Sequence, residues 1–136
     1  MAGIHFGFNN FKQLIELNIG ISDRLDENRA ESFTILYCNL SEIEDNLIKQ
    51  SLSEVLRTSD SIVNRGKDYF FVLPYTDKYG GNIVKGMFDE FFAKFLDSFL
   101  ISYPSDGEDS IELIEVMQNS VSSFCNIDLT YLDEIR

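Results

Sequence analysis

The fold is decided by the stretch Arg57-Thr58-Ser59-Asp60-Ser61-Ile62-Val63-Asn64-Arg65-Gly66-Lys67-Asp68-Tyr69-Phe70. Two short runs with the composition of β-strands, 61–64 and 69–73, flank a turn that contains Gly66. Such runs joined by a glycine turn predict a β-hairpin, and Pro74 ends its second strand. An Arg and an Asp three residues apart, Arg57 and Asp60, stand directly ahead of this hairpin.

Upstream of the hairpin, the pattern predicts a helix, a strand and a second helix. Apolar residues at helical spacing predict the first helix over 8–17, and Gly20 leaves open whether it continues. The uncharged run 33–38 predicts a central strand that is buried on both faces. Ser41 and Glu44 have capping-box spacing and predict the start of the helix that leads to the hairpin.

Downstream of the hairpin, the pattern predicts a helix, a strand and a last helix. Residues 80–82 open the first of these, and its phenylalanine stripe, 88–95, is expected in the core. Residues 99–103 predict a strand. Asp109 or Ser110 is expected to cap the last helix, which continues to about residue 124.

This order of elements predicts an α+β fold. Its centre is a β-α-β-β-α-β unit, which is typical of ferredoxin-like folds with a mostly antiparallel sheet and flanking helices. We expect one domain over 1–136. It divides into an N-terminal helix and connector (1–32), a core (33–124) and a tail (125–136) that is either a short edge strand or a docking segment.

Composition narrows the classes of partner and compartment. A formal net charge of −12 disfavours binding to nucleic acids and to anionic membranes. The acidity is explained by a soluble surface, and it also leaves open a basic protein partner. With Cys38, Cys125 and His5 as the sole cysteines and histidine, we expect no zinc site and two buried thiols. No apolar run is long enough to span a bilayer, and the N-terminus lacks a secretory signal, so we expect a cytoplasmic protein.

The hairpin resembles the signature of the GGDEF (diguanylate cyclase) family. Gly66-Lys67-Asp68-Tyr69-Phe70 stands where that family has Gly-Gly-Asp-Glu-Phe, and 71–74 resembles its following strand. Residues 101–110 look like its last core strand and the start of its final helix. The resemblance covers roughly residues 8 to 124 and implies a bacterial signalling domain with a nucleotide-cyclase-like fold.

The chain departs from the family where the family holds metal and nucleotide. Lys67 replaces a glycine that lies against the nucleotide, and Tyr69 replaces a catalytic carboxylate. Asn39-Leu40-Ser41 replaces the Asp-apolar-Asp pattern, and the family's base-binding loop has no room after Leu40. The resemblance therefore implies a degenerate domain without catalysis, metal or cofactor. We interpret Asp68 as a turn residue that bonds to its own backbone.

The chain retains the residues that correspond to the family's regulatory site. Arg57 and Asp60 match the family's inhibitory Arg-x-x-Asp site in spacing and in distance to the hairpin, which implies binding of cyclic di-GMP. Arg65 and Lys85 are candidates for the further cation that such a site needs. Without a ligand, the Arg57–Asp60 pair would be an exposed ion pair at a helix end.

Several functions therefore stay open. The chain is predicted to be an inactive signalling or interaction module, which binds cyclic di-GMP in one version. In another version it forms a homodimer or binds a protein partner without a ligand. The remaining alternatives are a divergent diguanylate cyclase with unusual metal ligands and a different ferredoxin-like regulatory domain.

Overall fold

A computed structural model describes residues 3–25 and 29–136. Met1 and Ala2 at the predicted N-terminus, and residues 26–28 of the predicted connector, lie outside the described residues. The strands are β1 (Ile4–His5), β2 (Glu31–Asn39), β3 (Ser61–Arg65), β4 (Asp68–Pro74) and β5 (Ser98–Pro104). The α-helices are α1 (Phe11–Arg24), α2 (Asp45–Val55), α3 (Lys78–Phe92) and α4 (Ser110–Cys125), and 3-10 helices cover Phe8–Asn10 and Thr130–Glu134.

The described strands form one sheet in the order β1-β3-β4-β2-β5. β4 is antiparallel to both β3 and β2, and β5 is antiparallel to β2. β1 is parallel to β3. The predicted α+β class is confirmed. β1 was missed because its two residues are extended by pairing with Ser61 and Ile62, and no alternating pattern marks them.

The sheet separates two apolar clusters. On one face, Phe70 and Val72 of β4 pack with α1 and α4. On the other face, Phe71 and Leu73 pack with α2 and α3. Residues 33–38 of β2 are all buried, which confirms the prediction of a strand covered on both faces.

The hairpin is confirmed and is slightly longer than predicted. β3 and β4 pair from Ser61–Val72 to Arg65–Asp68, so the connecting turn consists of Gly66 and Lys67. Gly66 has a φ of +61°, a left-handed conformation that glycine adopts without steric cost.

α3 begins two residues before the predicted start. The Asp77 side chain accepts a hydrogen bond from the Gly80 N–H at 2.7 Å and caps the helix at Lys78. Gly81, which was predicted to lie at the start of this helix, lies inside it and allows close packing. A Cβ there would lie 2.9 Å from Leu100 and 3.0 Å from Thr34, so glycine lets α3 approach the sheet closely.

The phenylalanine stripe was predicted to be core throughout, and this is wrong for its last member. Phe88 is fully buried, and Phe91 and Phe92 are half-buried. The helix ends at Ala93, which has a φ of +52°, and the reversed chain leaves Phe95 83% exposed.

The predicted capping box is also wrong. α2 begins at Asp45, and neither Ser41 nor Glu44 provides a side-chain cap. The Asn39 side chain instead accepts the Ser41 N–H at 2.9 Å, and Ile43 N–H bonds to the Leu40 carbonyl. These bonds hold 39–43 as a turn and delay the helix.

The first and last segments of the described residues both contribute to the core. α1 starts at Phe11, after a 3-10 turn, and continues past Gly20 to Arg24. Of the two alternatives for the tail, the docking segment is the observed one. Leu129 and Leu132 are fully buried beside α4, and no strand forms over 126–136.

The outer edge of β5 is partly capped. The Ser102 N–H donates to the Asp106 carboxylate at 2.7 Å, and the Cys125 thiol contacts the Ser98 carbonyl at 3.6 Å. These contacts limit pairing with another strand. Cys38 is buried as predicted, but Cys125 is half-buried because it lies in the last turn of α4.

Candidate functional site

The side chain of Lys67 spans the space between the hairpin and the start of α2. Its Nζ donates to the Ile43 carbonyl at 2.5 Å and lies 2.9 Å from the Asp45 carboxylate. The Lys67 carbonyl accepts the Leu40 N–H at 2.9 Å. The hydrogen bond from Lys67 holds the pKa of Asp45 below its usual value. The hairpin turn is therefore tied to the β2–α2 connection by the chain's own residues.

Asp68 is bound by two tyrosine hydroxyls. Tyr37 of β2 donates to Oδ1 at 2.6 Å, and Tyr131 of the C-terminal 3-10 helix donates to Oδ2 at 2.7 Å. The prediction that Asp68 bonds to its own backbone is wrong, because the side chain of this first β4 residue faces α1 and α4, where both hydroxyls lie. Each carboxylate oxygen thus has a structural partner.

These tyrosines are protected from ionisation. Burial is the main cause that raises the pKa of both Tyr37 and Tyr131, and the hydrogen bond to Asp68 is the second. Burial and a 2.7 Å hydrogen bond to Asp23 raise the pKa of Tyr103 to about 12.

A pH dependence follows from these shifts. Unfolded tyrosines lose their proton near pH 10, whereas the folded protein retains it, so the stabilising contribution is complete below about pH 10 and is lost above it. We expect the free energy of unfolding, measured by denaturant titration, to fall as the pH rises from about 10 to about 12. Tyr131→Phe should reduce the slope. A slope identical in wild type and Tyr131→Phe would contradict the assignment.

Tyr69 of β4 and Asn39 of β2 lie on paired strands, near the turn of the hairpin. Asn39 pairs with Asp68, and Cys38 pairs with Tyr69. Tyr69 faces the α2 side, where its ring stacks on Phe71 at 6.0 Å and burial raises its pKa. Phe70, the last signature residue, is fully buried. The positions that the resemblance assigns to metal carboxylates are thus one register position apart on paired strands, and they carry an amide and a phenol.

Arg57 and Asp60 form a tight local pair. The Asp60 carboxylate is 2% exposed. Its Oδ2 accepts the Arg57 backbone N–H at 2.7 Å, and its Oδ1 accepts Nη2 at 2.9 Å. The Asp60 N–H returns a bond to the Arg57 carbonyl at 3.0 Å, which closes the turn that leads into β3.

The outer part of Arg57 is held against the end of β4. Nη2 also lies 3.0 Å from the Pro74 carbonyl and 3.1 Å from Thr76 Oγ1. The Arg57 side chain is nevertheless 55% exposed, so the guanidinium is positioned and accessible.

The other two predicted site cations lie elsewhere. Arg65 is at the opposite end of β3, about 16 Å along the strand from Asp60. Its guanidinium lies 5.2 Å from the Tyr131 ring centre and 3.6 Å from Glu134. Lys85 is buried in α3, where it pairs with Asp89. The structure brings Arg57 and Asp60 together but places Arg65 and Lys85 among other partners, and a role for either of them in ligand binding stays a prediction.

Sequence reasoning missed several members of these sites. Tyr37 and Tyr131 are distant in sequence from Asp68, and only the sheet register and the docked tail bring them to it. Thr76 and the Pro74 carbonyl were not linked to Arg57, although Pro74 was predicted to end the second hairpin strand.

Within residues 3–25 and 29–136, no cluster of three or more His, Cys, Asp or Glu side chains could hold a metal ion. None of the helices in these ranges has both the length and the apolar character needed to cross a bilayer. Compared with protein-family models and with curated protein sequences, the chain gives no match.

Proposed function

We propose that this chain is a catalytically inactive, GGDEF-type signalling module that acts by binding. Its candidate ligand is cyclic di-GMP, and Arg57 is the residue that would contact it. The chain order β-α-β-β-α-β and the antiparallel order β3-β4-β2-β5 support a ferredoxin-like, nucleotide-cyclase-like core.

The observation that carries the proposal is the state of Asp68. Both oxygens of this last signature carboxylate accept tyrosine hydroxyls, and Tyr69 and Asn39 occupy the positions that need further carboxylates. A hard divalent cation in phosphoryl transfer requires oxygen ligands such as carboxylates. The hairpin residues are therefore suited to holding the fold rather than to holding metal.

The surroundings of Lys67 support the same conclusion. Lys67 bonds across the gap between the hairpin and α2, where the resemblance implies a nucleotide against a glycine. The connection between β2 and α2 consists of residues 40–44 alone. It is too short for the base-binding loop that the resemblance implies.

A module that binds only proteins is the second candidate, as a homodimer or with another partner. Phe95 and Phe124 are 83% and 77% exposed. Both line an open groove of about 570 Å³ beside β5. Exposed aromatic side chains near one groove are typical of contact surfaces. A divergent cyclase remains the third candidate and requires metal ligands other than those of the family.

Isothermal titration calorimetry with cyclic di-GMP tests the ligand version. We expect wild type to bind, Arg57→Ala to lose at least about tenfold in affinity because a charged hydrogen-bond donor is removed, and Arg24→Ala to bind like wild type. Arg24 is the matched control because it is exposed and lies in α1. If wild type shows no heat of binding, the ligand version is rejected and the protein-binding version is favoured.

A further inference from the structure

Burial and the contacts with Arg57 close the Asp60 carboxylate to a ligand. It is 2% exposed, and both of its oxygens accept hydrogen bonds from Arg57. A guanine base read by this carboxylate would have to break those bonds and enter a buried turn. Asp60 therefore orients Arg57 and leaves recognition to the guanidinium.

The guanidinium is itself largely occupied. One edge of the guanidinium, formed by Nε and Nη2, faces the Asp60 carboxylate. Nε lies 3.5 Å from Oδ2, and Nη2 lies 2.9 Å from Oδ1. Nη2 is also engaged at the end edge, where it lies near the Pro74 carbonyl and Thr76 Oγ1. In the described part of the chain, Nη1 is the Arg57 side-chain nitrogen without a hydrogen-bond partner.

The hydrogen bonds that Arg57 already makes limit the ligand groups that its guanidinium can recognise. Forked recognition of a guanine edge needs two adjacent donors, and both edges of Arg57 share the occupied Nη2. The N–H groups of Nη1, which belong to a cation, suit the oxygens of a phosphate, which accept hydrogen bonds from several directions.

We propose that Arg57 contacts a phosphate of the dinucleotide through Nη1, that Asp60 is a positioning residue, and that the site does not select guanine. This inference rests on the proposed ligand-binding function. The ligand class is then a cyclic purine dinucleotide bound through its phosphates, with adenine and guanine accepted alike.

Calorimetry with cyclic di-GMP and cyclic di-AMP tests the inference directly. We expect the two affinities to agree within about threefold, whereas a forked arginine–guanine pair discriminates by about 5- to 150-fold. Arg57→Lys, which keeps the point charge without the fork, should bind both ligands within about fivefold of wild type, and Arg57→Ala should bind neither as well.

The role of Asp60 is tested with Asp60→Asn. We expect equal losses of affinity for both dinucleotides and a shift of the Arg57 Nε–H resonance in NMR spectra, assigned by its absence in Arg57→Lys. Thermal unfolding of each variant shows whether it is folded. An unshifted resonance in folded Asp60→Asn would overturn the positioning role.

The outcomes separate the two proposals. A guanine preference above about threefold, or loss of binding in folded Arg57→Lys, overturns this inference and leaves cyclic di-GMP binding intact. Absence of binding by both dinucleotides overturns the inference together with the ligand version of the proposed function.

Discussion

Asp68→Ala is expected to lower the free energy of unfolding by about 2–4 kcal/mol, because it leaves the hydroxyls of Tyr37 and Tyr131 without their acceptor. Tyr37 is fully buried, so its hydroxyl has little access to water in compensation. Chemical denaturation of wild type and variant, followed by circular dichroism, measures the difference.

Two further variants make this test specific to the hydrogen bonds. Asp68→Asn keeps an acceptor oxygen and should lose less stability than Asp68→Ala. Glu54→Ala removes an exposed carboxylate of α2 and should change stability by no more than about 0.5 kcal/mol. An Asp68→Ala protein as stable as wild type would show that the tyrosine contacts have no structural weight.

Leu132→Ala is expected to cost about 2–5 kcal/mol, since it opens a cavity where a fully buried leucine packs. The effect would show that the C-terminal segment is part of the core rather than an appendage. Leu17→Ala is the matched control, because Leu17 is 58% exposed on α1 and should change stability little. Equal stabilities of the two variants would contradict the docking of this segment.

The local patterns of the chain predicted the elements well where one interaction dominates. The uncharged run 33–38 became the central strand, and the glycine turn at Gly66 became the hairpin. The boundaries failed where a side chain competes with the helix. Asn39 holds the turn before α2, and Asp77 starts α3 ahead of the glycines, and neither effect is visible as periodicity.

The site was harder to predict than the fold. The contact between Arg57 and Asp60 is local, so their spacing was informative. The contacts of Asp68 join three separate segments, and no local signal marks Tyr37 or Tyr131 as its partners. Long-range hydrogen bonds depend on register and docking, which a single sequence does not specify.

The most direct test of the central claim is to incubate the purified chain with GTP and Mg²⁺ and to analyse the products by chromatography. We predict that no cyclic di-GMP forms, because the hairpin carboxylate is bound to tyrosines and its neighbours are Tyr69 and Asn39. Formation of cyclic di-GMP by wild type, lost in a folded Asp68→Asn variant, would contradict the claim.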